Sequence, residues 1–197
     1  MRTDKNTGSA VGKDKPARRN DMILELLDWV KYILIAVLIG LLLVVFVIQR
    51  NSVLGDSMLP NLHENDQLLV EKVSKWFHGI QYGDVITISS KDLPAHDEGP
   101  NIIKRVIGMP GDTVEIRDDG VYRNGSKLDE AYLPDGTITQ VRNLMYSKVT
   151  LSENQYYVMG DNRGVSLDSR IFGPVPLESV IGKVMLRFYP WNQIGLP

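Results

Sequence analysis

A long apolar run near the N-terminus constrains the fold of this chain more than any other feature. Residues 32–48 carry no charged side chain and would extend about 25 Å as an α-helix. With residues 29–31 added, and the Lys31 ammonium directed toward water, the run reaches the roughly 30 Å thickness of a bilayer core. We therefore expect a membrane-anchoring helix over residues 22–49.

Two alternatives to a permanent anchor were weighed against this run. A buried core helix would carry polar residues on one face, and none are present. A cleaved signal peptide would have a shorter apolar run followed by small residues, whereas residues 46–51 read FVIQRN. A single membrane span is the favoured interpretation.

The charges on either side of the run predict its orientation. Six Lys or Arg residues precede residue 20, whereas Arg50 is alone on the near C-terminal side. Because positive residues stay on the cytoplasmic side, we expect a cytoplasmic N-terminus and a single-pass protein of the cell membrane. Residues 1–21 have little to bury and are expected to form a disordered cytoplasmic tail. Residues 50–197 would form an extracytoplasmic domain.

Composition excludes several classes of function. Residues 51–197 contain 14 Lys or Arg and 19 Asp or Glu, so the folded part lacks the basic face of a nucleic-acid-binding protein. The chain has no cysteine, which excludes disulfides and thiolate metal sites. Its three histidines are isolated and no HExxH motif is present, so we expect no metal and no cofactor.

Beyond residue 51 the pattern favours β-structure, because short apolar runs alternate with turn residues. Expected strands lie at residues 67–73, 84–88, 102–107, 114–116, 121–123, 155–159 and 179–189. Asp119-Gly120 and Asn124-Gly125 have the residue types of two-residue hairpin turns. Residues 129–150 are expected to form an irregular surface excursion, and no long amphipathic helix follows residue 60. We expect a mostly β domain with an antiparallel, coiled, barrel-like sheet.

Ser57 is a candidate nucleophile, in the sequence GDSMLP at residues 55–60. A serine needs a neighbouring base, and a lysine that has lost its hydration can replace the usual histidine. Lys104 lies in the apolar strand 102–107 and is followed by Arg105, which must point to the opposite face. An inward Lys104 would have a lowered pKa. The alternative is a solvated Lys104, with Arg105 turned inward.

A dense group of polar residues, GDNRGVSLDSR, occupies residues 160–170. Taken alone, it could be a turn followed by a surface ion pair between Asp168 and Arg170. Its density of charged and hydroxyl groups instead favours part of a functional site.

These sequences resemble, in order, the conserved boxes of the bacterial type I signal peptidases of peptidase family S26. The resemblance includes YGDVI at residues 82–86 and IKRVIGMPGD at residues 103–112. It implies that Ser57 is the nucleophile and Lys104 the general base. It also implies that the Ser166 hydroxyl orients the lysine amine and that the Ser57 backbone N–H forms part of the oxyanion hole.

The resemblance further implies that four charged residues hold the shape of the site: Arg105, Asp161, Asp168 and Arg170. It implies a mostly antiparallel β domain with a coiled-barrel core, lying against the membrane. Gly55 departs from the version of the motif in which a serine two residues before the nucleophile supplies a side-chain oxyanion donor. The second donor is therefore left open.

The implied activity is that of a membrane-bound serine endopeptidase, which removes signal peptides from exported preproteins after small-residue, A-x-A-like sites. Its partners would be preprotein signal peptides and the lipid bilayer, with the peptide bound as an added strand. Closeness in sequence to Ser57 and Lys104 suggests a substrate pocket formed by Val53, Met58, Ile102 and Ile103. Five aromatic residues are expected either on the lipid surface or in the core: Trp76, Phe77, Phe188, Tyr189 and Trp191.

Two other classes compete with this interpretation. A self-cleaving transcriptional regulator could use a similar Ser-Lys site, but it would carry a DNA-binding helical module where this chain has a tail and an anchor. A membrane-anchored protein that holds extended peptides without cutting them would tolerate the loss of Ser57 and Lys104. The peptidase would not.

Overall fold

The computed structural model describes residues 17–77, 79–93 and 101–197. The chain divides into two compact units, Met1–Leu43 and Val44–Pro197, and each is considered separately. Most of the predicted tail, residues 1–16, lies outside the described residues. Its last five residues, 17–21, instead begin a helix.

The first unit is described through one long helix. Helix α1 spans Ala17–Phe46, so it both starts and ends before the predicted bounds of 22–49. Within it, Asp21–Val44 is long and apolar enough to cross a membrane, and this stretch buries no side chains against the protein. Ile48 and Gln49, predicted as the end of the anchor, lie in the first strand because backbone partners are available to them at Val70 and Glu71.

The second unit is built from two antiparallel sheets. Within the described residues the strands are β1 (Ile48–Ser52), β2 (Gln67–Glu71), β3 (Val85–Ile88), β4 (Ile102–Gly108), β5 (Thr113–Arg117), β6 (Gly120–Arg123), β7 (Ser126–Lys127), β8 (Lys148–Thr150), β9 (Gln155–Met159), β10 (Val175–Pro176) and β11 (Val180–Tyr189). The larger sheet has the order β1-β2-β11-β3-β4-β9-β10 and the smaller one β7-β6-β5-β8.

The larger sheet curls into a half-barrel, and β11 pairs irregularly with both of its neighbours. Its pairing with β2 and β3 shifts register at three points, and such bulges increase twist and curvature. At one of them, a Cβ on Gly182 would collide with the Glu71 carbonyl oxygen, so glycine allows the two backbones to approach. The predicted mostly β, antiparallel, barrel-like class is confirmed.

Helices in the rest of the described chain are short. They are α2 (Val73–Trp76) and α3 (Ser169–Phe172), in agreement with the prediction of no long helix after residue 60. The strand predicted at 67–73 stops at Glu71, because the Ser74 backbone N–H bonds to the Glu71 carboxylate and α2 begins. The predicted irregular excursion 129–150 is correct except at its end, where β8 pairs with β5.

One of the two predicted hairpin turns is confirmed and the other is wrong. Asn124 and Gly125 both have positive φ, 53° and 82°, and they connect the paired residues Arg123 and Ser126. In the other hairpin Gly120 itself pairs with Arg117, so the turn residues come one position earlier than Asp119-Gly120.

Three clusters of buried hydrophobic residues occur in the described part of the chain, and one of them supports the Ser57 loop. Val53, Met58 and Leu62 are almost fully buried there and pack in one cluster with Leu68, Val70 and Ile103. Each such side chain contributes about 1.5–3 kcal/mol of burial free energy. Met58, immediately after Ser57, thus fixes the loop to the sheet.

Five aromatic residues were expected either on the lipid surface or in the core, and the core alternative is wrong for four of them. Trp76, Phe77, Tyr189 and Trp191 are exposed, and Phe188 is half-buried. Their predicted contact with lipid remains a prediction.

Candidate active site

Ser57 lies in the loop that joins β1 to β2. Val53 closes the loop with hydrogen bonds to Asp66 and Asn65 at 2.9 and 3.0 Å. Gly55 turns the chain with φ of +74°, a left-handed conformation that glycine adopts without steric cost. The Ser57 side chain remains half-exposed beside a cavity.

Lys104 reaches Ser57 from β4. Its side chain is only 4% exposed, and Nζ donates a hydrogen bond of 2.7 Å to Ser57 Oγ. Loss of hydration on burial lowers the pKa of Lys104 to about 8, although the carboxylates of Asp168 and Asp161 act to raise it. The alternative of a solvated Lys104 is therefore wrong.

Arg105 points to the opposite face of β4 and binds Asp161. Its Nε and Nη2 donate to the two carboxylate oxygens at 2.9 and 2.7 Å, and Nη1 donates to the Gly83 carbonyl at 2.8 Å. The Tyr132 ring centroid lies 4.3 Å from the guanidinium carbon, and Asn61 also donates to Asp161 at 2.7 Å. These contacts bury the pair, and its shape-holding role remains a prediction.

Asp168 and Arg170 form a second buried ion pair. Arg170 Nε and Nη2 each lie 2.8 Å from a carboxylate oxygen of Asp168, and both side chains have no solvent exposure. The surface ion pair considered from the sequence is therefore wrong. Burial acts to raise the pKa of Asp168. The Arg170 guanidinium and the Gly160 N–H lower it by more than burial raises it, so the pKa lies below its ordinary value. Asp168 also caps α3 through the Arg170 N–H.

Ser166 is buried close to the dyad, but its predicted contact is not formed. Its Oγ has no hydrogen-bond partner within the described residues, so no bond to Lys104 is present. The Ser166 side chain helps to lower the pKa of Asp168, although Ser166 Oγ and the Asp168 carboxylate do not reach hydrogen-bond geometry. Its lysine-orienting role remains a prediction.

Two residues of the loop 160–166, Gly160 and Asn162, contact the Ser57 segment and were not singled out from the sequence. The Asn162 N–H donates to the Ser57 carbonyl at 3.0 Å, and its side chain donates to the Asp56 carbonyl at 3.1 Å. A Cβ on Gly160 would collide with both the Ser57 carbonyl oxygen and the Ser166 side chain. The loop 160–166 therefore packs directly on the backbone of the nucleophile, which a local motif could not reveal.

A cavity of about 510 Å³ opens beside the dyad. All four predicted pocket residues line it together with Ser57 and Lys104: Val53, Met58, Ile102 and Ile103. Exposed Leu54, Val165 and Leu167 add apolar surface at its border and were not predicted. The cavity is thus mainly apolar, with the reactive groups on its wall.

The Ser57 backbone N–H donates to no group in the described part of the chain, so it is free to bind an oxyanion. A Cβ on Gly55 would meet no atom of the described residues within 4 Å, so none of them fills the position of the missing serine side chain. Among the described residues no group of three or more His, Cys, Asp or Glu side chains could hold a metal ion.

The family described as "Signal peptidase, peptidase S26" matches residues 26–191. "Probable signal peptidase I-1" of Synechocystis sp. is 40% identical over 172 residues, which cover 83% of this chain and 84% of the relative. "Signal peptidase I S" of Bacillus subtilis is 35% identical over 177 residues, covering 86% and 92%.

A crystal structure of a signal peptidase I from Enterococcus faecalis V583 is 37% identical, with a TM-score of 0.44, and covers 54% of this chain and 97% of that one. The family match extends over most of the chain, and the two sequence relatives align over more than four-fifths of their own length. The chain therefore belongs to the signal peptidase I family of serine endopeptidases, within peptidase family S26.

Proposed function

We propose that this protein removes signal peptides from exported preproteins with Ser57 as the nucleophile and Lys104 as the general base. The observation that carries the proposal is the 2.7 Å contact between Lys104 Nζ and Ser57 Oγ, made by a lysine whose pKa burial lowers to about 8. Family membership supports the overall reaction, which is removal of signal peptides by a serine peptidase. The dyad supplies its chemistry.

The reaction begins with a neutral Lys104. Its amine accepts the Ser57 proton as Oγ attacks the carbonyl carbon of the scissile bond, and the Ser57 N–H stabilises the developing oxyanion. The resulting ammonium gives its proton to the leaving amine, which frees the mature protein and leaves an acyl-serine. Lys104 then takes a proton from a water that attacks the acyl carbonyl. It returns this proton to Ser57 Oγ as the acyl–Oγ bond breaks, which releases the signal peptide and restores both groups.

Burial of Lys104 makes this scheme work near neutral pH. With a pKa of about 8, about a tenth of the lysine is neutral at pH 7. A solvated lysine would be neutral roughly 300-fold less often. The buried site therefore provides the base without a histidine.

The cavity supports recognition of small side chains before the scissile bond. Strand β4 pairs with β3 along Ile102 to Arg105 but with β9 only from Arg105 onward. In the described structure its other edge, at Ile102 and Ile103, has no strand partner. A peptide added to this edge would bring a carbonyl to Ser57 and place alternate side chains in the apolar cavity.

A preprotein with an A-x-A site provides the test of the reaction. The detergent-solubilised wild type should cut after the second alanine, whereas Ser57→Ala and Lys104→Met should bind the preprotein and leave it uncut. Lys148→Met, which alters a lysine that is 64% exposed, serves as the matched control and should cut normally. If the wild type and all three variants bind the preprotein and none of them cuts it, the protein holds peptides without hydrolysing them.

We also propose that Asp21–Val44 anchors the protein with its N-terminus in the cytoplasm. The apolar character of this stretch and the six basic residues before residue 20 support this topology. Protease added outside spheroplasts should digest an epitope at the C-terminus and spare one at the N-terminus. The reverse pattern would overturn the orientation.

A further inference from the structure

A second hollow, of about 380 Å³, begins where the catalytic cavity ends. Leu59 and Asn162 line both spaces. Leu59 is two residues after Ser57, and Asn162 is bonded to the Ser57 carbonyl. The two hollows therefore adjoin at Leu59 and Asn162, both next to the nucleophile.

A buried arginine fixes the walls of this second hollow. The Arg163 side chain is 1% exposed and donates to Glu130 at 2.5 Å, to Thr139 at 2.6 Å and to the Gly160 carbonyl at 3.1 Å. Glu130 and Thr139 belong to the excursion that carries Ile138. The far wall is thereby held to the same loop that packs on Ser57.

The hollow presents an uncharged surface despite two ionisable residues on its border. Asp161 is bound by Arg105, and Arg163 is bound by Glu130, so both charges are neutralised beneath the surface. Its remaining lining is apolar or uncharged and includes Pro60 and Ile138. The Ile138 side chain is 70% exposed, which leaves it free to contact a ligand.

We infer that this hollow binds the residues that follow the scissile bond, the segment that becomes the N-terminus of the released protein. The inference rests on the proposed function, in which the first cavity takes the residues before that bond. An extended peptide that crosses Ser57 advances about 3.3 Å per residue, so its next residues enter the adjoining space. The lining selects apolar side chains at the first two positions, because a charged one would lose water without gaining a free charge among the lining residues. Arg142, which donates to the Gly164 carbonyl, is not one of them.

The experiment compares two preproteins that are identical through the A-x-A site and carry either Val-Val or Glu-Glu directly after it. The full-length wild type in detergent should cut the Val-Val form with roughly tenfold higher kcat/KM, the value of one or two buried methylene groups. Ile138→Lys should remove or reverse this preference, since it replaces apolar contact with a positive charge.

The control is Leu144→Lys, which changes an 85% exposed leucine of the same excursion that does not line the hollow; it should retain the wild-type preference. Equal cleavage of both preproteins by the wild type, or an equal change for both with Ile138→Lys, would overturn the inference while leaving the proposed function intact. If the wild type cuts neither preprotein, the proposed function fails and the inference falls with it.

Discussion

At the scale of single residues, the proposed role of Lys104 as the base predicts how activity depends on pH. Since its pKa is about 8 and the neutral form is the base, kcat/KM should rise about tenfold per pH unit below that value and level off above it. A series from about pH 6 to about pH 10 measures this. A profile that levels off near about pH 6.5 would point to a histidine base instead.

The same group links stability to pH. The folded pKa of Lys104, about 8, is below its ordinary value of 10.5, so between these values the unfolded chain binds more protons and stability increases with pH. The whole increase is about 3 kcal/mol, and it is lost as the pH falls from 10.5 to about 8.

Lys104→Met should abolish this increase. Denaturant unfolding of both proteins at the two ends of that pH range measures it. Burial raises the pKa of Tyr132 and Tyr157, so these tyrosines destabilise both proteins alike in alkaline solution. The difference in the free energy of unfolding between the two proteins therefore isolates the effect of Lys104. Parallel curves for the two proteins would contradict the assignment.

Gly160 has no room for a side chain, which leads to a prediction about the site. In Gly160→Ala the new methyl would displace the Ser57 carbonyl and Ser166, and a shift of that kind can lower kcat/KM about 100-fold. Gly108→Ala is the matched control, because its methyl would collide with Val114 and Leu151, which do not line the catalytic cavity. Both variants should lose about 1–3 kcal/mol of stability, but activity per folded molecule should fall only in Gly160→Ala.

At the scale of elements, a buried ion pair holds the excursion 129–150 to the loop 160–166. Arg163 is 1% exposed and its partner Glu130 only 13%, so Glu130→Ala leaves a buried guanidinium without its carboxylate. We expect a loss of about 3–5 kcal/mol in the free energy of unfolding. Asp119→Ala breaks an ion pair with Lys127 whose side chains are more than half exposed and should change little. Equal effects in denaturant unfolding would show that the Glu130 pair is not structural.

The sequence predicted those elements whose signal is local. Strands β3, β4, β9 and β11 have apolar runs, and each was found within about two residues of its bounds. Strands β1, β7, β8 and β10 were missed because they are short or polar and exist only where a distant partner pairs with them.

The same limit applies to the site. Ser57 and Lys104 were identified by their motifs and by the opposite faces of successive strand residues. The contacts of Asn162 with the Ser57 loop and of Arg163 with Glu130 join residues far apart in the chain. Only the folded backbone brings them together, so no local pattern predicted them.

At the scale of the whole molecule, the second unit contains its own core. The three buried clusters of the described residues fall between Val53 and Val184, and none of them includes a residue of Asp21–Val44. A protein consisting of residues 44–197 should therefore fold and cut a short soluble peptide nearly as well as the full chain. It should cut a membrane-inserted preprotein less efficiently, since a shared membrane raises the effective concentration of enzyme and substrate. An equal loss of cleavage activity on both substrates would show that the anchor supports the fold.

The shortened protein also tests whether the exposed aromatic residues contact lipid. Of the three tryptophans in the chain, Trp29 would be removed, while Trp76 and Trp191, 72% and 76% exposed, would remain as the only indole fluorophores. Because indole rings favour the membrane interface, binding to phosphatidylcholine vesicles should shift the tryptophan emission to shorter wavelengths. The protein should also sediment with the vesicles. Trp76→Ser combined with Trp191→Ser should abolish sedimentation, whereas Leu144→Ser should not. Unchanged emission would mean that these rings remain in water, and that α1 alone holds the enzyme at the membrane.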